Sequence, residues 1–208
     1  MKILSVVGAR PEFVQAASVS RALRERHQEI LIHTGQHYDY AMSQAFFDDL
    51  DLPAPDYNLE VGSGSHATQT GQMLVRLEEV IQREGPNLVI VRGDTNSTLA
   101  GALAASKLGV PIVHIEAGER SFDRTMPEEI NRLVTDAISD VLWTPSPDAD
   151  ENLLAEGVAR ERIDRIGNIM IDSYEMMREA ITADDSVRRL GLPGKKFGIS
   201  TLHRPSKV

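Results

Sequence analysis

The chain has 208 residues, of which 41% are hydrophobic and 5% aromatic, and its formal net charge is −9. This length suits one α/β domain with an aliphatic core, or one domain and the start of another. The acidic balance, without any arginine-rich run, disfavours nucleic acid as a partner. The sequence has no cysteine, which excludes disulfides, thiolate metal sites and a cysteine nucleophile.

The amino terminus has one lysine and a short apolar run, too short for the apolar region of a signal peptide. No apolar stretch in the sequence approaches the length that crosses a bilayer. We therefore expect a cytoplasmic protein with no membrane partner.

The first predicted strand, residues 3–7, is followed by a turn and a helix over 12–26. Pro11 suits the first helical turn, where its missing N–H costs nothing. The turn brings Arg10 and a helix N-terminus to the end of the strand, which predicts an anion site. Only Gly8 of a G-x-G-x-x-G fingerprint is present, so a nicotinamide cofactor is disfavoured.

Branched apolar strands alternate with helices along the rest of the chain. The predicted strands are 29–33, 88–91, 111–115, 141–144 and 163–166, with a short extended piece at 57–61. The predicted helices are near 42–50, a long helix ending near 84, then 98–108, 127–139, 148–156 and 171–180. About six strands alternating with helices predict an α/β fold with a doubly wound parallel sheet.

Acidic residues follow two successive strands of this sheet. Asp94 and Glu116 come after the strands at 88–91 and 111–115, and Glu128 opens the next helix. Ligands bind at the carboxyl ends of the strands in an open parallel sheet. Each carboxylate could instead be only a helix cap, but three at one edge favour proton transfer, because neighbouring carboxylates push their pKa values apart.

The composition changes near the end of the chain. Residues 182–196 are rich in charge, glycine and proline, and a new apolar strand is predicted over 197–202. We therefore expect a first domain at 1–181, a linker at 182–196 and the start of a second domain at 197–208.

Six motifs occur in an order that is characteristic of one family: GARPEF (8–13), GDTNST (93–98), HIEAGERS (114–121), PEEINR (127–132), GN (167–168) and HRP (203–205). With them the chain resembles the non-hydrolysing UDP-N-acetylglucosamine 2-epimerases. The resemblance implies the Rossmann-like N-terminal half of a GT-B-type, two-domain enzyme. It also implies a UDP-sugar substrate, no metal or other cofactor, a homodimer and a role in polysaccharide biosynthesis.

The resemblance further implies a reaction and its acid and base groups. UDP-N-acetylglucosamine and UDP-N-acetylmannosamine would interconvert by elimination of UDP, reprotonation of C2 on the other face and re-addition of UDP. Proton removal from one face and return to the other need separate groups. Asp94, Glu116 and Glu128 match the family positions for these groups, and His203 would lie near the phosphates.

The resemblance also nominates residues that bind the substrate. Arg10 would stabilise the departing diphosphate. Gln36 and His37 are candidates for lining the cleft. Arg120 and Arg132 are candidates for phosphate or sugar binding, or else ion-pair partners of the acidic cluster.

His37, His66 and His114 do not have the spacing of metal ligands in the sequence. We expect no metal site, and we expect His114, which lies in a strand, to be a hydrogen-bonded core residue.

The chain departs from the family pattern at a few positions. Gln15 occupies a position where the family often has lysine, Glu119 one where it usually has leucine, and Pro205 one where an acidic residue is common. A related UDP-diacetamido-uronic acid 2-epimerase, a hydrolysing relative, a GT-B glycosyltransferase and a non-catalytic remnant or dimerisation module stay open as alternatives.

Overall fold

A computed structural model of the chain describes residues 1–36, 47 and 49–200. Most of the helix predicted near 42–50 lies outside these residues, as do the candidate site residues His37 and His203. The chain divides into two compact units, Met1–Glu175 and Met176–Val208. The candidate site belongs to the first unit.

One sheet of seven parallel strands forms in the described part of the chain, in the order β3-β2-β1-β4-β5-β6-β7. Its strands are β1 (Lys2–Val7), β2 (Gln28–His33), β3 (Tyr57–Asn58), β4 (Leu88–Arg92), β5 (Ile112–Ile115), β6 (Val141–Thr144) and β7 (Ile163–Arg165). The chain builds outward from β1 to β3 and then returns to β4 on the other side of β1. This reversal is the doubly wound topology, so the predicted Rossmann-like fold class is confirmed.

Seven α-helices are described in the same residues. They are α1 (Arg10–Arg24), α2 (His66–Glu84), α3 (Asn96–Lys107), α4 (Pro127–Ile138), α5 (Pro147–Ala155), α6 (Ile169–Ala183) and α7 (Ser186–Arg189), and a 3₁₀ turn covers Arg160–Arg162. Apart from the helix predicted near 42–50, most of which lies outside the described residues, the predicted helices are present, with ends that differ by a few residues.

Apolar side chains cover both faces of the sheet, as the continuous apolar strands predict. On one face, Leu4 and Val91 pack with Met73 and Leu77 of α2 and with the alanines of α3. Gly101 allows α3 to lie close to the sheet, because a Cβ there would come within 2.9 Å of Val91 Cγ1.

The opposite face of the sheet packs against α1. Ile3, Ile90 and Ile115 form a second cluster there with Val19 of α1. Because helices cover both faces of the sheet, a ligand would bind at the edge formed by the carboxyl ends of the strands.

The end of the described chain differs from the prediction. Helix α6 continues to Ala183, and α7 lies within the segment expected to be a linker. Residues 197–200 form no strand, and the rest of that predicted strand lies outside the described residues. An apolar pattern produces a strand only when a neighbour supplies the ladder of hydrogen bonds.

Candidate active site

The candidate site lies at the point where the winding of the sheet reverses, between β1 and β4. Crevices at such points bind ligands in open α/β sheets. The turns after β1, β4 and β5 meet there, since β4 pairs with β1 on one side and with β5 on the other. Asp94 and Glu116 therefore follow adjacent strands, as the sequence predicts.

Glu116 is partly buried and is held by a residue of α1. Gln15 Nε2 donates a hydrogen bond of 2.6 Å to Glu116 Oε2. The backbone of Glu116 has φ +69°, in the left-handed region that few residues other than glycine adopt. Burial raises the pKa of the Glu116 carboxyl, and the charges of Asp94 and Glu119 raise it further, while the Gln15 hydrogen bond opposes the rise.

Asp94 forms an ion pair with Arg132 of α4. The same guanidinium also pairs with Glu129 at 2.9 Å. Asn131 Nδ2 donates to the carbonyl oxygen of Asp94 at 2.8 Å. Helix α4 therefore holds both the side chain and the backbone of Asp94, and Arg132 is an ion-pair partner of the acidic cluster.

The two glutamates that open α4 have different surroundings. Glu129 is 2% exposed, and its carboxylate accepts the N–H groups of Ser121 and Phe122, both at 2.9 Å. It therefore fixes the loop that follows β5. Glu128 is exposed and lies one helical turn before Arg132, on the same side of α4.

The anion site predicted at the first turn is partly wrong. The buried carboxylate of Glu12 accepts the N–H groups of Gly8 and Ala9, at 2.5 and 2.9 Å, so these amides are already used. It also accepts hydrogen bonds from the hydroxyl groups of Thr95 at 2.6 Å and Thr98 at 3.1 Å. A glutamate at the third helical position reaches back to the amides before its own helix, and it supplies the negative charge that we assigned to a ligand.

Arg10 keeps its predicted place at this turn. It is exposed, and within the described residues it has no ion-pair partner. Burial raises the pKa of the neighbouring Glu12 carboxyl, and its four hydrogen bonds oppose the rise.

Gln36 lies at the edge of the site, but its side-chain oxygen has a structural partner. Gln36 Oε1 accepts hydrogen bonds from the backbone N–H and the hydroxyl of Ser97, at 3.1 and 2.7 Å. Ser97 also packs against Gly8, where any Cβ would collide with the Ser97 and Thr34 hydroxyls. The role predicted for Gln36 in lining the cleft stays a prediction.

Arg120 is placed differently from our substrate-binding prediction. Its side chain is 1% exposed, and it pairs with Asp136 and Glu156, each at 2.7 Å. Burial lowers the pKa of the guanidinium, but Glu156 and Asp136 together raise it above its ordinary value. This arrangement favours a structural ion pair, although the partners are not the acidic residues that we expected.

His114 is fully buried and hydrogen-bonded, as predicted. Its Nδ1 lies 2.6 Å from Asp136 Oδ1, and its Nε2 lies 2.8 Å from the Gly93 carbonyl oxygen. Among the described residues, no cluster of three or more acidic or histidine side chains could hold a metal ion.

Sequence reasoning missed Glu12 and Asp136. The signal for Glu12 was its position three residues after Ala9, which is the spacing of a capping glutamate. Asp136 comes four residues after Arg132, on the side of α4 that faces the site.

No helix in the described part of the chain has the length and apolarity to span a membrane.

Comparison with known proteins gives a consistent result. The family model for UDP-N-acetylglucosamine 2-epimerase matches residues 21–208. A UDP-N-acetylglucosamine 2-epimerase homolog of Methanococcus maripaludis is 52% identical over 98% of this chain and 57% of its own length. A UDP-2,3-diacetamido-2,3-dideoxy-D-glucuronate 2-epimerase of Pseudomonas aeruginosa is 50% identical over 98% of this chain and 58% of its own.

A solved structure shares the fold as well as the sequence. The UDP-GlcNAc 2-epimerase of Methanocaldococcus jannaschii, in complex with UDP-GlcNAc and UDP, superposes with a TM-score of 0.88 at 46% identity. The match covers 91% of this chain and 53% of that protein, and the chain spans 57–58% of the length of the two curated relatives. From its motifs, its fold and these matches, the chain belongs to the UDP-N-acetylglucosamine 2-epimerase family.

Proposed function

We propose that the chain provides the acid–base side of the active site of a UDP-N-acetylglucosamine 2-epimerase. The observation that carries this proposal is the pair of carboxylates on adjacent strands. Asp94 is held in an ion pair with Arg132, whereas Glu116 is partly buried and has a raised pKa. Two neighbouring carboxyl groups in such different surroundings suit proton transfer in both directions.

In the proposed reaction a base removes the C2 proton, and the electrons of that bond form a C1–C2 double bond. The C1–O bond breaks, and UDP leaves with its electron pair. An acid then returns a proton to the other face of C2 as a UDP oxygen adds back to C1. We assign the acid and base roles to Asp94, Glu116 and Glu128, because all three lie at or beside this edge of the sheet.

Arg10 is the candidate that would stabilise the departing diphosphate. Its exposed position on the first turn of α1, without an ion-pair partner among the described residues, leaves its charge available. Charge builds up on the leaving group in the transition state, and a fixed cation there lowers the barrier. His203, which the family resemblance places near the phosphates, lies outside the described residues and stays a prediction.

The assay is proton NMR of the chain with UDP-N-acetylglucosamine in deuterated water. We expect loss of the C2 proton signal and appearance of the manno epimer. Glu116→Gln keeps the shape of the side chain and its contact with Gln15, so the protein should fold while exchange falls about 10²–10⁴-fold. Glu151→Gln, an exposed change on α5, is the matched control and should exchange at the wild-type rate.

The diacetamido-uronate substrate is the second candidate, because the Pseudomonas relative is 50% identical while the UDP-N-acetylglucosamine 2-epimerase homolog is 52% identical. Parallel assays with the two UDP-sugars decide between them by their kcat/KM ratio. Exchange of neither sugar would mean either that the reaction needs a second domain or that the chain is non-catalytic. The homodimer and the cytoplasmic location stay predictions, and light scattering of the purified chain tests the first.

A further inference from the structure

Asp136 of α4 is a buried carboxylate that receives donors from the segment carrying Glu116. It is 1% exposed. Its Oδ1 lies 2.6 Å from His114 Nδ1, and its Oδ2 accepts the Gly118 N–H at 3.1 Å. Oδ2 also pairs with Arg120 at 2.7 Å. One side chain of α4 thus holds β5 and the turn that follows it.

His114 extends this connection to the neighbouring strand. Its Nε2 lies 2.8 Å from the Gly93 carbonyl oxygen, and a carbonyl can only accept, so Nε2 must carry a proton. The ionised Asp136 carboxylate also only accepts, so Nδ1 must carry one too. A ring that donates to both neighbours at once is the imidazolium form.

The electrostatics agree with this geometry. Burial lowers the pKa of His114, but Asp136 and the Gly93 carbonyl more than compensate, so the pKa lies above its ordinary value. Burial likewise raises the pKa of Asp136, and His114 and Arg120 bring it below its ordinary value. Each partner stabilises the charged form of the other.

We propose that Asp136 and His114 form a positioning pair that sets Asp94 and Glu116 relative to each other. Gly93 directly precedes Asp94, and both His114 and Gly118 are two residues from Glu116 along the chain. One line of hydrogen bonds therefore reaches both turns that carry the carboxylates. The pair is fully buried, so it acts through Asp94 and Glu116 without contact with substrate, and the inference rests on the proposed function for the roles of those two groups.

The pair also contributes charge to the site. The positive charge of His114 lowers the pKa of Glu116, against the effects of burial and of Asp94. Removing that charge should therefore raise the pKa of Glu116. The charged groups around the pair are Arg120 and Glu116 after β5, and Glu156, which reaches Asp136 through Arg120. Asp94 after β4 acts on Glu116.

The test compares the wild-type chain with His114→Gln, Asp136→Asn and the control Asp140→Asn. Asp140 also accepts a backbone N–H of β5, from Ile112 at 2.8 Å, but at the opposite end of the strand. Carbon-13 NMR titration of the Glu116 carboxyl should show its pKa raised by about half a unit or more in the first two variants. It should be unchanged in Asp140→Asn.

Two further measurements accompany this titration. Nitrogen-15 NMR of the histidine ring should show that both nitrogens of His114 stay protonated above the ordinary histidine pKa. In the C2 exchange assay, kcat should fall about 10–10²-fold in His114→Gln and Asp136→Asn, with KM little changed. Loss of stability alone would not shift the titration of Glu116.

The outcomes separate this inference from the proposed function. An identical Glu116 titration in all four proteins would overturn the positioning pair, and so would an equal loss of kcat in Asp140→Asn. If the wild-type chain exchanges no C2 proton but the Glu116 titration moves as expected, the positioning pair stands and the chain does not carry out the proposed exchange by itself. If exchange occurs and the titration does not move, the reverse holds.

Discussion

Gln15 Nε2 of α1 donates a 2.6 Å hydrogen bond to Glu116 Oε2 in the turn after β5. This contact joins the first βα unit of the sheet to the carboxyl group with the raised pKa. The amide donor favours the ionised form of Glu116 without adding charge. Gln15 occupies the position at which the family resemblance leads us to expect lysine, so the chain has one positive charge fewer beside this carboxylate.

Substitutions at Gln15 should therefore move the pKa of Glu116 in opposite directions. Gln15→Lys places a cation beside the carboxylate and should lower that pKa by about 1 unit or more. Gln15→Leu removes the donor and should raise it. Carbon-13 titration of Glu116 measures both shifts, and the acid limb of the exchange rate should move in the same direction as the pKa. Shifts of the same sign in both variants would refute the proposed contact.

The buried Glu12 should make the stability of the protein fall as the pH rises. Its pKa is raised above the ordinary 4.5, so the folded state binds more protons than the unfolded state between about pH 4.5 and the folded-state pKa. Unfolding free energy then decreases as the pH rises from about 4.5 to the folded-state pKa, and it levels off above that value. Glu12→Gln lacks this titration, so the difference between wild type and variant should change with pH over that window.

Glu12→Ala tests the hydrogen bonds themselves. It leaves the Gly8 and Ala9 amides and the Thr95 hydroxyl without the Glu12 acceptor, whereas the Thr98 hydroxyl keeps the Arg92 carbonyl at 2.6 Å. Each unsatisfied buried donor costs about 1–3 kcal/mol. We expect a clearly lower midpoint in urea denaturation at every pH. Glu12→Gln can still accept the amides with its oxygen, so it should lose much less. Equal losses in the two variants would contradict this account.

Substitutions at the adjacent residues Glu128 and Glu129 should have different effects: a change at Glu129 should lower stability, and a change at Glu128 should lower the rate of C2 exchange. Glu129→Gln loses a charge-assisted contact with Arg132 and weakens the bonds to Ser121 and Phe122, at a cost of about 1–3 kcal/mol. The loop should then open more often, and trypsin should cleave faster after the exposed Arg124. Thermal denaturation and timed proteolysis measure both effects.

Glu128→Gln is the matched control for this experiment. Its side chain is exposed, so the melting temperature and the cleavage rate should match wild type while C2 exchange falls. Unchanged exchange would remove Glu128 from the proposed acid–base group. A lower melting temperature would show that its side chain has a structural role.

The order and type of the elements followed from local patterns. Hydrophobic periodicity and the caps of α2 and α3 mark helices whose formation depends on nearby residues. The strand predicted at 197–202 was wrong over 197–200, because a strand depends on a partner that is remote in the sequence. The same limit applies to the anion site, since the amides of the first turn could also be bound by Glu12.

The sequence alone determined that Asp94 and Glu116 stand at the same edge of the sheet, since parallel strands direct their carboxyl ends to one side. Only the tertiary structure decided which charges are available there. In the folded chain, Arg120 and His114 are buried against Asp136. Arg132 is paired with Asp94, and Arg10 and Glu128 are exposed. Charge pairing depends on distances between residues far apart in the chain, and these distances exist only after the sheet and helices have packed.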